Sequence, residues 1–230
     1  MSQNRLKKTS LWIAILATTG VATTATFAQA KIKEGYVKYE VSDVKGEGMA
    51  TMALKNSKQT YFFSKKHNKV DAQMAGGMVR TTVVGDNITE ASVLYTDGAV
   101  GKKMVNYTKA ERDKQDSKMG KYTITTDAKV TKNILGYVCT KQILRGDDGE
   151  IIVFTTDKIT PAKNPFRQFG DMKGFPLEFM VNQGGVVATF TAKELGGKIG
   201  KTEFDVPKTG YEKMTMQQFN KMLGKLSDGE

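Results

Sequence analysis

Residues 36–44 read YVKYEVSDV, and apolar and polar side chains alternate along this stretch. Val37, Tyr39 and Val41 share one face, whereas Lys38 and Glu40 share the other. Alternation with a period of two is typical of a β-strand that buries one face and exposes the other. The stretch therefore predicts one strand of a half-buried sheet.

Short segments of the same kind recur along most of the chain, and turn residues such as Gly, Asp and Asn separate them. The further predicted strands are residues 48–54, 59–64, 69–74, 78–84, 88–95, 102–107, 122–126, 132–145, 150–156, 175–182, 185–194 and 198–205. Many short strands with turn signals between them favour a large antiparallel sheet. We therefore predict a mainly β fold.

Three segments depart from this pattern. Residues 109–118 (KAERDKQDSK) are almost wholly polar, which predicts a solvated helix or a mobile loop. Residues 159–174 hold several Pro and Gly residues together with Phe166 and Phe169, which indicates an irregular connection that lies on the sheet. Residues 214–226 carry apolar side chains at spacings of three and four, which predicts a C-terminal amphipathic helix.

The first thirty residues match a secretory signal peptide. Arg5, Lys7 and Lys8 form a positive start, an apolar stretch covers residues 11–27, and Ala28-Gln29-Ala30 has the small residues that signal peptidase requires. The alternative is an uncleaved membrane anchor, but the apolar stretch is shorter than a spanning helix and rich in Thr. We expect cleavage after Ala30.

The expected product spans residues 31–230 and has no further apolar stretch of membrane-spanning length. No Cys follows the cleavage motif, so we do not expect a lipoprotein. We find neither an internal repeat nor a boundary, and we predict one domain. Secretion with a single Cys suits the periplasm of a Gram-negative bacterium.

Charge and composition exclude several classes of function. The chain holds 35 basic and 24 acidic residues, and loss of the signal segment leaves a net charge of +8. The basic residues are spread as singlets and pairs, so no nucleic-acid stripe is indicated. No nucleophile elbow, phosphate-binding glycine loop or dinucleotide motif occurs. We predict a protein that is not an enzyme and uses no cofactor or metal.

Two residues of reactive type have ordinary interpretations. His67 lies among lysines without a neighbouring carboxylate, which is typical of an exposed turn residue. Cys139 lies inside a predicted strand, where a free Cys commonly packs as a small apolar residue. The odd cysteine count leaves pairing with another molecule as the alternative.

Methionine is abundant, with eleven residues after the signal segment. Met is flexible and polarizable, so it suits both irregular cores and surfaces that accept variable apolar partners. Core filling, an apolar ligand pocket and copper binding through thioethers are the three alternatives, and the last lacks clustered ligands. For a pocket, the expected lining is Met74, Met78, Met104, Phe154, Phe179 and Met180.

Three motifs carry a family resemblance. They are NILGYVCTK at residues 133–141, GFPLEF at 174–179, and FDVP at 204–207 leading into YEKM at 211–214. In this order they resemble a secreted Bacteroidota family of unknown function and the related GLPGLI group. More distantly, such domains resemble periplasmic lipoprotein carriers of the LolA/LolB type. That resemblance implies a curved half-barrel sheet, which is an incomplete antiparallel barrel closed over by helices, with an apolar cavity for acyl chains. The sequence itself predicts the C-terminal helix and few others.

Two functions follow as expectations. The first is non-enzymatic binding of a hydrophobic ligand, such as a lipid or a lipoprotein acyl chain. The alternative is a cell-envelope module that binds another protein or senses stress, for instance by strand addition to an exposed sheet edge. An enclosed apolar cavity favours the first, and a filled core with an exposed apolar surface favours the second.

Overall fold

A computed structural model describes residues 30–117, 121–147, 149–164, 166, 169–183 and 185–228. The predicted signal segment, including Ala28, lies outside the described residues apart from the exposed Ala30. Within the described residues, no helix has the length and apolar character needed to cross a membrane.

In the described part of the chain, twelve strands form one open, curved sheet. They are β1 Gly35–Lys45, β2 Lys58–Phe63, β3 His67–Met74, β4 Val79–Asp86, β5 Ser92–Gly98, β6 Lys103–Tyr107, β7 Thr123–Ile134, β8 Tyr137–Gly146, β9 Gly149–Thr156, β10 Phe175–Gln183, β11 Val186–Gly196 and β12 Glu212–Met214. Among the same residues, three α-helices accompany them: α1 Met49–Lys55, α2 Lys109–Asp116 and α3 Met216–Asp228.

The strand order across the sheet is β12-β6-β5-β4-β3-β2-β1-β11-β10-β9-β8-β7. Two antiparallel meanders, β1–β6 and β7–β11, therefore join where β1 pairs with β11. The prediction of a mainly β fold with one curved sheet is confirmed. The sheet is mixed rather than purely antiparallel, because β12 pairs in parallel with β6.

The face of β1 that carries Val37 and Tyr39, which we call the inner face, holds the main core. Both side chains are fully buried, as is Tyr61 on β2. The described residues of the irregular connection 159–174 lie across this face, as predicted, with Ile159, Phe166, Phe169 and Met172 buried in the core. The Phe166 ring lies 5.0–6.2 Å, between centroids, from the rings of Tyr39, Tyr61, Phe169, Phe175 and Phe179. Offset and edge-to-face aromatic pairs at these distances stabilise the fold beyond area burial.

Polar contacts fix both ends of the segment that covers the core. The Ile32 amide donates a hydrogen bond of 2.7 Å to the Lys158 carbonyl, and the Thr160 amide donates one of 2.8 Å to the Ile32 carbonyl. At the other end, the Gln142 side chain donates to the Lys173 carbonyl and accepts from the Lys173 amide. A segment held at both ends and buried in the middle behaves as part of the core.

Three predicted strands are wrong. Residues 48–54 belong to α1, because Gly46 and Gly48 adopt positive φ and turn the chain out of β1. The following Met, Ala, Leu and Lys residues then favour a helix. Residues 198–205 form turns, with short-range hydrogen bonds such as that from the Glu203 amide to the Gly200 carbonyl.

The third error is residues 132–145, which are two strands joined by a two-residue hairpin. Ile134 pairs with Tyr137, and the intervening Leu135 and Gly136 have φ of 53° and 82°. Positive φ at both central residues is the signature of a type I′ turn. Leu is uncommon in such a position, so the sequence pattern concealed the turn.

The two longer helices begin with capping boxes. In α2, Thr108 and Glu111 exchange side-chain to backbone hydrogen bonds, and Thr215 and Gln218 do the same in α3. Each exchange satisfies two amide groups that a helix start leaves unpaired. The prediction of a C-terminal helix is confirmed, and its Phe219 is buried.

Candidate functional site

The structure does not bring the six predicted lining residues together. Phe179 is buried in the aromatic core, whereas Met180 follows it on the opposite face of β10. Phe154 pairs with Glu178, so it also lies on the face opposite Phe179. Of the other three, Met74 is half-buried at the end of β3, Met78 is exposed, and Met104 is buried on β6. Their role as a lining stays a prediction.

The free edge of β7 is the first candidate site. In the described part of the chain β7 pairs with β8 on one side, and no described strand pairs with its other side. It is twelve residues long, and most of its residues are exposed. The opposite edge of the sheet is β12, which has three residues. The sheet thus has one long open edge and one short edge.

Exposed apolar side chains accompany this edge. Val130, Leu135 and Val138 are 40%, 39% and 65% exposed, and all three lie in β7, in its turn or at the start of β8. A register shift between Asp127 and Thr131 forms a bulge in β7, and Val130 lies within this bulge. Exposed apolar groups beside a free strand edge are a feature of protein-binding surfaces.

An ion pair holds β7 in place on the outer face of the sheet, opposite the core. The Lys132 ammonium lies 2.8 and 2.6 Å from the two carboxylate oxygens of Glu178, which is 8% exposed. Thr191 donates a further hydrogen bond of 2.8 Å to the same carboxylate. The Lys132 ammonium also lies 5.6 Å from the ring centre of Phe154. The ion pair thus links the edge strand β7 to β10 across β8 and β9.

A polar cleft on the outer face is the second candidate site. It encloses about 290 Å³ between β3–β5 and the segment of residues 198–211. Its lining consists of Lys69, Asp71, Ala72, Gln73, Arg80, Thr82, Tyr95, Asp97 and Tyr211. The sheet register explains the set, since Asp71 pairs with Thr82 and Thr82 pairs with Tyr95, so their side chains share a face.

Lys69 links the floor of this cleft to the covering segment. Its ammonium lies 3.0 Å from Asp71 and 2.8 Å from Glu203. Burial disfavours the charged ammonium, but the hydrogen bonds to Glu203 and Asp71 outweigh burial and raise the pKa of Lys69. The Lys69 side chain therefore stays protonated and holds residues 198–211 against the sheet.

His67 and Cys139 are not parts of either candidate site. His67 is half-buried and stacks on Phe204 at 5.5 Å between ring centres, so the expectation of an exposed turn residue is wrong. Cys139 is fully buried, which confirms the core interpretation. Burial, with a smaller effect of nearby Glu178, raises the pKa of its thiol to about 12.

Sequence reasoning missed the cleft because its residues come from three strands and from Tyr211, which is far along the chain. The sequence did contain one indication of the cleft. In β3, the outward-facing Lys69, Asp71 and Gln73 alternate with Val70 and Ala72. Alternation marks the polar face of each strand, but only the register shows which polar residues meet.

Comparisons with known proteins show few similarities. No protein-family model matches the sequence, and no curated protein matches it. Among solved structures, PNGF-II is 10% identical, with a TM-score of 0.49 over 84% of this chain and 33% of that chain. The chain thus spans about a third of the length of PNGF-II.

Two further structures are similar at lower scores. The hypothetical protein CT021 from Chlamydia trachomatis is 7% identical, with a TM-score of 0.38 over 78% of this chain and 94% of that one. A DUF1329 family protein from Desulfovibrio piger is 8% identical, with a TM-score of 0.20 over 76% and 90%. Because all three TM-scores lie below 0.5, none carries an argument about function. The GLPGLI-like and LolA/LolB-type resemblances stay predictions.

Proposed function

We propose that this protein is a non-enzymatic cell-envelope module that binds a partner protein by strand addition to β7. Two observations carry the proposal: among the described residues no strand pairs with the outer edge of the twelve-residue β7, and Val130, Leu135 and Val138, in β7, its turn and β8, are exposed. An added strand pairs its backbone groups with the unpaired groups of the edge, and its alternate side chains contact the exposed apolar groups. Each such hydrogen bond contributes about 0.5–1.5 kcal/mol net.

The segment best suited to pairing is the first half of β7. Thr123–Asp127 precede the bulge and keep a regular register with β8. Three of these five residues are Thr, a β-branched residue that suits a strand. The bulge and the lysines beyond it are devices that limit indiscriminate edge pairing. A partner therefore pairs along Thr123–Asp127 and contacts Val130 and Val138 beyond them.

The hypothesis of a hydrophobic ligand has less support from the geometry. A half-barrel carrier needs open apolar space on the inner face of its sheet. Here the rings of Phe166 and Phe169 pack on that face against Tyr39 and Phe179. Exposing one such side chain costs about 1.5–3 kcal/mol, so a ligand would have to offset the loss of several.

One extraction separates the two functions. The purified protein is extracted with organic solvent, and the extract and the intact protein are examined by mass spectrometry. We expect no stoichiometric lipid. A lipid present at one molecule per protein would support the hydrophobic-ligand hypothesis and contradict ours.

The location in the envelope is also part of the proposal, and it rests on the signal-like residues 1–30. Expression of the full chain in a Gram-negative host, followed by fractionation and N-terminal sequencing, tests it. We expect the protein in the periplasmic fraction with Lys31 as its first residue. An intact N-terminus in the cytoplasmic fraction would contradict this expectation.

The edge is tested by two adjacent proline variants, Thr125→Pro and Thr126→Pro. Successive residues of a strand direct their amides to opposite edges, so one of the two amides faces β8 and the other faces outward. Proline at the outward position removes a donor without breaking the β7–β8 pairing. We expect that variant to keep the wild-type melting temperature and to lose its partner.

A matched control separates edge pairing from general stickiness. Ile88 is 73% exposed and lies in the turn between β4 and β5, far from β7 in the strand order. Ile88→Glu should leave partner binding unchanged, whereas Val138→Glu should weaken it about tenfold, which corresponds to about 1.4 kcal/mol. Equal binding by the wild type and the folded outward proline variant would contradict strand addition.

A further inference from the structure

The polar cleft on the outer face has the features of a small-ligand site that is separate from the β7 edge. Tyr211 forms one wall and meets Tyr95 edge-on, with 5.5 Å between ring centres. The Lys102 ammonium lies 5.8 Å from the centre of the Tyr211 ring. These contacts, together with the pairing of β12 beside β6, fix the orientation of the aromatic wall.

The floor of the cleft has no net charge. Lys69 and Arg80 supply two cations, and Asp71 and Asp97 supply two carboxylates. Lys69, Asp71 and Thr82 satisfy one another, because the Thr82 hydroxyl donates a hydrogen bond of 2.6 Å to the carboxylate that Lys69 contacts. An ionic ligand of either sign would meet a like charge here, so the balance favours a neutral ligand.

Three planar polar groups lie in one row at the outer end of the cleft. The register pairs Gln73 with Arg80 and Arg80 with Asp97, so the three side chains project from one face. Among the residues that the structure describes, neither Gln73 nor Arg80 has a side-chain hydrogen bond or ion pair. One oxygen of Asp97 accepts a hydrogen bond from the Gly98 amide, and its other oxygen has no hydrogen bond to any residue that the structure describes.

This row offers complementary hydrogen bonding. The guanidinium only donates, the carboxylate only accepts, and the carboxamide does both. Adjacent hydroxyl groups on a ring also donate and accept, and their spacing fits forked groups such as a guanidinium or a carboxylate. The C–H face of such a ring is apolar enough to lie against a tyrosine ring. A volume of about 290 Å³ accommodates one ring of this size.

From this geometry we propose that the cleft binds a neutral saccharide, whose hydroxyl groups contact Gln73, Arg80 and Asp97 and whose ring lies against Tyr211. The site is independent of the proposed β7 function. Failure of either proposal leaves the other unaffected, because no residue is shared between the cleft and the edge.

The test is an NMR titration of the isotopically labelled protein with glucose, galactose and N-acetylglucosamine, each added separately. A neutral polysaccharide forms a second arm and distinguishes a free sugar from a chain-bound one. We expect millimolar affinity for at least one probe, with shifts in the amide signals of β3–β5. No shift in these signals with any probe would overturn the proposal.

Variants assign the binding to the cleft. Tyr211→Ala and Asp97→Asn should each lower the affinity at least about fivefold, as expected for the loss of one stacking or charged hydrogen-bond contact. Tyr211→Phe keeps the ring and should retain most of the affinity. Asp157→Asn changes an exposed aspartate outside the cleft and is the matched control. Binding that survives both Tyr211→Ala and Asp97→Asn in folded protein would overturn the proposal.

Anions are the alternative class of ligand and are tested in the same way. Inorganic phosphate and acetate are titrated into the wild-type protein and into Arg80→Ala. Because the lining is neutral, we expect weaker binding of either anion than of the best sugar. Phosphate that binds more tightly than every sugar and is lost in Arg80→Ala would identify an anion site and contradict ours.

Discussion

At the residue scale, Phe166 is the central aromatic side chain of the core on the inner face. It is 2% exposed, and its ring meets five other rings within 6.2 Å. Phe166 belongs to an irregular connection rather than to the sheet. Its contacts therefore also pack this connection against the strands. One side chain therefore serves both the core and the placement of a long connection.

Phe166→Ala should destabilise the protein by about 3–5 kcal/mol, because it removes a large buried ring and leaves a cavity. Urea unfolding followed by far-UV circular dichroism measures the change. Ile88→Ala, at an exposed turn, should change the free energy of unfolding by less than about 0.5 kcal/mol. Similar small effects for both variants would mean that Phe166 is not a core residue.

Cys139 should resist thiol reagents in the folded protein. The raised pKa of about 12 leaves almost no thiolate at pH 8, and burial excludes the reagent. We expect no measurable labelling by iodoacetamide under native conditions and complete labelling in denaturant. Rapid native labelling would show an accessible thiol and would revive pairing with another molecule.

At the element scale, alternating side chains predicted most strands, because burial of one face imposes a local period of two. The errors fall where local pattern and backbone conformation disagree. Residues 49–55 alternate weakly but follow two glycines with positive φ, and they form a helix. Leu135 occupies a turn position for which its type gives no signal. The pairing of β1 with β11 and the polar cleft depend on long-range register, which no local pattern contains.

The Leu135-Gly136 turn offers a direct stability test. Leu135 has a φ of 53°, a conformation that Asn adopts more readily than Leu does. Leu135→Asn should raise the free energy of unfolding by about 0.5–1 kcal/mol. Gly136→Ala, with φ of 82° at the changed residue, should lower it by a similar amount. A destabilised Leu135→Asn variant would show that the Leu135 side chain contributes more than its backbone strain costs.

The attachment of residues 198–211 through Lys69 should weaken at alkaline pH, where the Lys69 ammonium loses its proton. Because the pKa of Lys69 is raised in the folded state, its contribution is complete below the unfolded-state pKa of about 10.4 and is lost as pH rises through the folded value. Lys69→Met should cost about 2 kcal/mol at pH 8, and the difference from wild type should shrink above pH ~10.5.

Denaturant unfolding at several pH values measures this difference. Lys58→Met is the control, because Lys58 forms an exposed ion pair with Glu40 and should contribute little at any pH. A cost for Lys69→Met that stays constant from pH 8 to well above pH ~10.5 would contradict the linkage.

At the scale of the whole molecule, three regions of the sheet have different roles. The inner face is filled by the protein's own aromatic side chains and provides stability. The outer face carries a neutral polar cleft over β3–β5. The open edge at β7 is long, exposed and anchored by the ion pair between Lys132 and Glu178. The proposed partner site and the proposed saccharide site thus lie in opposite halves of the strand order, separated by the filled core.

Site-specific photo-crosslinking in intact cells detects strand addition at β7 where it would occur. A photoreactive amino acid is placed at Val138 beside β7, and at Ile88 as the control. We expect the probe at Val138 to link one discrete envelope protein through an extended segment, and the folded outward proline variant to abolish the link. No link at Val138, or the same product from Ile88, would contradict strand addition at β7.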